Sequence, residues 1–260
     1  MNLTGKTAII TGGASGIGLA IAKRFSELGA DLCLCDVSQA ALDDVHNLLP
    51  GAILVRADVS RPDDVAQVFE DFGTAFDRLD VLVNNAGVSG PTKAFDEITD
   101  SEWADVMGVN ISGMFHMARA AAPYFRKQNS GAVINMSSTA GRMGMPLRLP
   151  YSVTKHAVRG LTETLAMELG EVGVRVNSIL PGFVNGPRGL RVISEQALAK
   201  GMEPEAYMQK FLHNISMHSM VEMEEIADMA AFLASDRAPH VSGQSIGVCG
   251  NFESYRSPAT

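Results

Sequence analysis

The chain is short of several things, and each shortage closes a class of function. Its three cysteines among 260 residues are too few, and odd in number, for a disulfide framework. Cys33 and Cys35 fall on one predicted strand and are expected to project to its opposite faces, away from each other. His116, His156, His213 and His218 have no carboxylate neighbours at ligand spacing, so packing or exposure to water is expected of each, and no metal is implied. No apolar run approaches the roughly 18 residues a membrane span needs. At the amino end Met1-Asn2-Leu3-Thr4-Gly5-Lys6 runs straight into a strand, with no basic stretch leading an apolar one. A cytoplasmic protein without a membrane partner is the expectation. Basic residues are outnumbered 21 to 29, giving a net charge of −8, which leaves no broad positive field for nucleic acid.

What is present is a steady alternation of short β-branched runs with longer helical stretches, in a chain that is 46% hydrophobic. That alternation predicts an α/β fold, a doubly wound parallel sheet with helices on both faces. At this length one domain over residues 1–260 would bury roughly 70% of its unfolded surface. Strands are expected at Thr7 to Thr11, Asp31 to Cys35, Ala52 to Arg56, Val81 to Asn84, Ala132 to Met136, Arg175 to Ile179 and Ser245 to Val248. Helices are expected at Ile17 to Leu28, Pro62 to Phe76, Ser101 to Arg126, Tyr151 to Leu169 and Glu224 to Ala234. Asp63 or Ser60, and Thr99 or Asp100, are the candidate N-caps of the second and third. The stretch Pro181 to Met220 reads as a long irregular insertion, and such insertions usually serve as lids or binding loops.

Two motifs carry chemistry. Thr11-Gly12-Gly13-Ala14-Ser15-Gly16-Ile17-Gly18 follows the first strand and opens a helix, where glycines let the backbone approach a pyrophosphate held by helix amides. A plain tight turn would use the same residues. Asp36 ends the second strand 24 residues after Gly12, where a carboxylate accepts from an adenosine ribose hydroxyl and repels a 2′-phosphate, favouring NAD over NADP. Capping of a helix that starts near Ser38 is its alternative role. The second motif is Tyr151-Ser152-Val153-Thr154-Lys155. Side chains four apart share a helix face, and at about 4 Å with an effective dielectric near 20 the Lys155 ammonium attracts a Tyr151 phenolate by roughly 4 kcal/mol. That suffices to bring a phenol down from about 10 toward the range of a general base.

With Asp58-Val59 after the third strand, Asn84-Asn85-Ala86-Gly87 after the fourth, Asn110, Ser138 and Pro181-Gly182 also in order, the chain resembles the short-chain dehydrogenase/reductase family over nearly its whole length. The resemblance implies a seven-stranded parallel sheet of the Rossmann type, a nicotinamide cofactor across the carboxyl edges of the strands, and a homotetramer built on the two long helices. It assigns proton exchange to Tyr151, and to Lys155 a hold on the cofactor ribose and a lowered Tyr151 pKa. Ser138 would orient the substrate oxygen and Asn110 a relay water. Cofactor contacts are implied for Gly12, Ser15, Gly16, Ile17, Gly18, Asp36, Asp58, Val59, Asn85, Ala86, Gly87, Tyr151, Lys155, Pro181, Gly182 and Val184. Two places depart from the family pattern: Gly186 stands where relatives have a threonine near the cofactor carboxamide, and Cys249-Gly250-Asn251 replaces a common Asp-Gly-Gly turn.

The substrate is expected to be a small secondary alcohol or its ketone, such as a polyol, sugar derivative or hydroxy acid. Arg148, Arg188 and Arg191 are candidate contacts for an anionic end, or else solvent-facing arginines balancing an acidic chain. Met143, Met145, Met202, Met208, Met217 and Met220 offer an adaptable apolar wall, or ordinary helix packing. An NADPH-dependent 3-oxoacyl reductase and a catalytically silent dinucleotide-binding module are the competing readings.

Overall fold

The computed structural model describes residues 1–252. Its strands are β1 (Thr7–Thr11), β2 (Asp31–Asp36), β3 (Ile53–Arg56), β4 (Val81–Asn84), β5 (Gly131–Met136), β6 (Val174–Pro181) and β7 (Ser245–Val248). They form one parallel sheet in the order β3-β2-β1-β4-β5-β6-β7. The helices are α1 (Gly16–Glu27), α2 (Gln39–Leu48), α3 (Pro62–Ala75), α4 (Asp100–Met107), α5 (Gly113–Gln128), α6 (Leu149–Gly170), α7 (Pro187–Ala199), α8 (Pro204–His213) and α9 (Met223–Ala234).

Strands covered on both faces need apolar side chains in both directions. Ile10, Leu34, Val83, Ile134 and Ile179 point into a layer that holds Phe25 of α1 and Ile226 of α9. Their neighbours Ile9, Leu82, Val133 and Val176 enter the opposite layer with Phe72 of α3 and Phe125 of α5. Cys33 and Cys35 both belong to that second layer. The expectation that they face apart was wrong, because residues two apart on a strand return to the same face. Burial pushes the Cys33 thiol up to about 12 and raises that of Cys35 as well.

Other expectations need correction. The helix expected to run unbroken from Ser101 to Arg126 is interrupted by a π-turn over Gly108–Ser112 that separates α4 from α5. Such bulges re-aim a side chain at the cost of regular pairing, and here that side chain is Asn110, which is fully buried. The N-cap of α3 is neither Asp63 nor Ser60 but Arg61, followed by Pro62 at the helix start. Thr99 does cap α4, in a reciprocal pairing with Glu102. The stretch expected to be irregular contains α7 and α8, each opening on a proline, which costs nothing in a first turn. Their buried residues Ile193, Ala197 and Tyr207 pack on Phe183, Ile215 and Phe252 in a third apolar cluster. Among the described residues no helix is long and apolar enough to cross a membrane.

Candidate active site

Strand order reverses between β1 and β4, so the loops leaving these two strands diverge and open a crevice at their carboxyl ends. A cleft of about 810 Å³ lies there, a size that suits a cofactor with its substrate.

One wall is the glycine turn. Gly12 and Gly16 hold φ of +59° and +53°, in the left-handed region where glycine carries no penalty. A Cβ at Gly16 would meet no protein atom within 4 Å, so the backbone there faces the open cleft. Ser15 occupies the N-cap of α1 without capping it through its side chain, and no acidic residue stands in the first turn. These features fit a pyrophosphate at the start of α1. Thr11, given no role from sequence, is the fastener of the turn: its Oγ1 accepts from the N–H groups of Asn85 and Ala86 at 3.0 and 2.9 Å. Asn85 in turn donates through Nδ2 to the carbonyls of Thr11 and Gly12, both at 3.0 Å. The sequence signal for Thr11 was a hydroxyl residue ending β1 immediately before the glycines.

Asp36 lines the cleft and accepts from the N–H groups of Ala14 at 3.3 Å and Ser38 at 3.1 Å. The cap of α2 is Ser38 itself, whose Oγ accepts from Ala41 N–H at 3.3 Å. Asp58 also lines the cleft while organising its own turn, accepting from the N–H and hydroxyl of Ser60 at 2.9 and 2.7 Å. Ile17, Val59, Ala86, Gly87, Pro181, Gly182 and Val184, also expected to contact a cofactor, line the same cleft. Gly18 stands behind it, packed against Gly12.

At the other end, the first turns of α6 carry Tyr151 and Lys155 past the end of β5. Lys155 is 3% exposed, its ammonium donates to the carbonyl of Met136 at 2.8 Å, and it lies 5.5 Å from the centre of the Tyr151 ring. Burial lowers its pKa to about 8, against the pull of Tyr151. For Tyr151 burial acts upward, but Lys155, Arg188, a hydrogen bond with Ser138 and Arg148 act downward and together prevail. The direction expected from the Tyr-x-x-x-Lys spacing therefore holds, although pairwise Coulomb arithmetic left out the opposing desolvation. Ser138 begins the turn Thr139–Gly141 in extended backbone and caps it by accepting from Ala140 N–H at 3.2 Å. Asn110 does not face the cleft. Its Oδ1 accepts from Val88 N–H at 2.8 Å, and its Nδ2 donates to Val88 O at 3.0 Å and Thr154 Oγ1 at 3.1 Å. It thereby ties the loop after β4 to α6.

Of the three arginines, Arg148 and Arg188 line the cleft. Arg191 does not: its side chain is 64% exposed and pairs with Glu195 at 3.7 Å. Met143, Met145, Met202, Met208 and Met220 pack on the third cluster and Met217 is exposed, so none of them forms the cleft wall. Met223 does, a residue not singled out by sequence. A Cβ at Gly186 would lie 2.2 Å from its Cε, so its methyl group occupies the space that a larger side chain at 186 would need.

A family profile described as Enoyl-(Acyl carrier protein) reductase matches residues 12–252. D-beta-hydroxybutyrate dehydrogenase of Rhizobium meliloti (strain 1021) is 35% identical over 254 residues, covering 95% of this chain and 98% of the relative. NAD+-bound xylitol dehydrogenase superposes with a TM-score of 0.92 at 28% identity, covering 96% of this chain and all of the other. A single-residue variant of actinorhodin polyketide ketoreductase with NADPH does so with a TM-score of 0.89 at 31% identity, covering 96% and 98%.

Proposed function

Because the chain belongs to the short-chain dehydrogenase/reductase family, oxidoreductases of CH–OH groups that work with a nicotinamide dinucleotide, we propose that it oxidises a small polar secondary alcohol with NAD. The observation that carries this reading is the pairing, in one cleft, of Tyr151 beside Lys155 and Ser138 at one end with Asp36 at the other. When bound, the dinucleotide supplies the hydride acceptor. Tyr151 takes the proton from the carbinol oxygen, Ser138 donates a hydrogen bond to that oxygen, and Lys155 stabilises the phenolate. Asn110 fixes the wall beside Lys155 by tying Val88 to Thr154; with both amide hydrogens used and no face on the cleft, it is a positioning residue and not the holder of the relay water that the resemblance implied. Gly12, Ser15, Gly16, Ile17, Asp58, Val59, Asn85, Ala86, Gly87, Pro181, Gly182 and Val184 would hold the dinucleotide, with Gly18 supporting the turn from behind.

Oxidation needs the phenolate, so its rate should rise with pH through the Tyr151 pKa, and reduction should fall over the same range. In Lys155→Met the strongest downward influence on that pKa is gone while burial remains. The rising limb of the kcat/KM profile should then move to higher pH, and an unmoved limb would remove Lys155 from this role.

Asp36 tests the cofactor. Asp36→Ala should lower kcat/KM for NAD about tenfold to a hundredfold, the worth of hydrogen bonds to a charged group, and raise it for NADP; equal losses with both would deny Asp36 the ribose. The NADPH-bound ketoreductase favours a second reading, an NADPH-dependent 3-oxoacyl reductase. Faster turnover of a 3-oxoacyl thioester with NADPH than of any alcohol with NAD would establish it.

Exposed Phe115 on α5 and Val153 and Met167 on α6 support a homotetramer through the long helices, testable by sedimentation. Three buried free thiols suit a reducing, cytoplasmic setting, testable by cell fractionation.

A further inference from the structure

Positive charge gathers at the reacting end of the cleft, where no carboxylate lines the wall. Arg148, at the start of α6, is only 3% exposed. Its Nη2 donates to the carbonyl of Ser89 at 2.9 Å, while its Nε and Nη1 are buried without any acceptor. Its Cζ lies 5.1 Å from the centre of the Tyr151 ring. Arg188, at the start of α7, reaches the same region and donates to the carbonyl of Gly87 at 3.0 Å, and Lys155 lies 5.5 Å from the same ring.

Among the described residues neither arginine forms an ion pair. The two carboxylates that line the cleft are Asp36, which ends β2, and Asp58, which follows β3; both lie on the far side of β1 from β5, which leads into the turn of Ser138 and then α6 with Tyr151. Desolvation holds the Arg148 pKa below its usual value, with Tyr151 acting against this, Arg188 reinforcing it and Glu195, which pairs with Arg191, opposing it more weakly. A guanidinium left short of acceptors in the interior is costly, and proteins keep such groups where a ligand completes them. Tyr151 cannot be the standing counter-ion, since it is neutral whenever it carries the transferred proton.

We propose that Arg148 and Arg188 form an oxyanion subsite, so that the alcohol oxidised here carries a carboxylate or sulfonate a few bonds from its carbinol carbon. Because the Arg148 guanidinium lies over the Tyr151 ring, an anion that completes it stands within a few bonds of a carbinol oxygen at the Tyr151 hydroxyl, as in a small hydroxy acid. This assignment rests on the dehydrogenase reading, with Tyr151 at the carbinol oxygen. Guanidinium suits the task because its planar donors match the oxygens of such groups and it keeps its charge at all working pH values.

The test measures NADH formation from 3-hydroxybutyrate and 2-hydroxypropanesulfonate against the uncharged 3-hydroxybutyramide and 2-propanol. It compares the unsubstituted protein with Arg148→Met and Arg188→Met. The acids should be preferred, and Arg148→Met should lower their kcat/KM about a hundredfold, as truncating one partner of a buried charge pair does. The uncharged alcohols should lose less, and only through the Tyr151 pKa that Arg148 helps to lower, so the acid-to-amide ratio falls. Thermal melting with NADH and either acetate or methanesulfonate gives a second readout. Both anions should raise the melting temperature of the unsubstituted protein more than acetamide does, and the difference should vanish in Arg148→Met. Without ligand, Arg148→Met should melt at or above the unsubstituted protein, because it removes an unmatched buried charge.

Equal turnover of acids and amide, an acid-to-amide ratio preserved in Arg148→Met, or a ligand-free Arg148→Met that melts far lower would overturn the subsite and leave Arg148 as a clamp on Ser89. If no alcohol yields NADH or NADPH, the dehydrogenase reading fails instead. The anion-dependent melting shift then still decides the subsite: its presence supports it and its absence sinks it.

Discussion

Replacing Tyr151 by phenylalanine is expected to lower kcat about a thousandfold or more, within the range a lost general acid–base group accounts for, while the dinucleotide dissociation constant stays within a few-fold. The substitution deletes one oxygen and keeps the ring, so the packing of the ring beneath the Arg148 guanidinium and its neighbourhood to Lys155 survive. What disappears is the atom whose charge Lys155, Arg188, Ser138 and Arg148 jointly favour against burial. Without it the carbinol proton has no acceptor at that position, and hydride departure would leave a protonated carbonyl. A variant that binds NADH with unchanged fluorescence enhancement yet turns over at the original rate would remove Tyr151 from this role, whereas a parent protein that binds NADH but turns over no substrate would belong with the silent dinucleotide-binding modules. Ser138→Ala separates the two contributions further: it should lower kcat while leaving a Tyr151-dependent pH profile in place.

Gly18→Ala is expected to destroy dinucleotide binding and to destabilise the fold by roughly 3 kcal/mol or more, at or beyond the usual cost of overpacking. A Cβ there would sit 2.0 Å from the carbonyl oxygen of Gly12 and 2.6 Å from Asn85 Nδ2. Neither can step aside cheaply. The Gly12 carbonyl accepts from Asn85, and Asn85 is held through its own N–H to Thr11, so displacing one loosens the turn, the loop after β4 and the end of β1 together. Gly16→Ala makes the useful contrast. It meets no protein atom, so its cost is the positive φ alone, and its effect should fall on cofactor affinity more than on melting. Measured by calorimetry and by NADH titration, a Gly18→Ala variant as stable and as tightly bound as the parent would show that the turn is far softer than its bonding suggests.

The sheet was legible because its strands are short apolar runs between breakers, a pattern that survives any packing detail: β1, β4 and β7 run over the residues expected of them. The proximity of Tyr151 and Lys155 was legible because the two need only helical spacing to meet. Long-range consequences were not. The π-turn at Asn110 depends on bonds to Val88 and Thr154, partners 22 and 44 residues away. α7 and α8 were hidden because few of their residues are buried, Ile193, Ala197 and Tyr207, too few to print a helical period. Arg148 and Arg191 looked alike on paper, yet one is enclosed beside Tyr151 and the other extends into water beside Glu195. Only the burial of the start of α6 distinguishes them.

The placement of the cysteines gives the molecule a built-in record of its own opening. Cys33 and Cys35 lie side by side beneath α3 and α5, where burial keeps the thiols protonated, and a protonated, enclosed thiol does not attack an alkylating reagent. Cys249 is enclosed elsewhere, under the cluster formed by α7 and α8. Alkylation of Cys249 alone would therefore count the moments when that outer layer lifts, and alkylation of the pair would count the rarer separations of the sheet itself. The two rates, read by mass spectrometry from one sample, would express the looseness of the wall beside the substrate relative to the body that carries it.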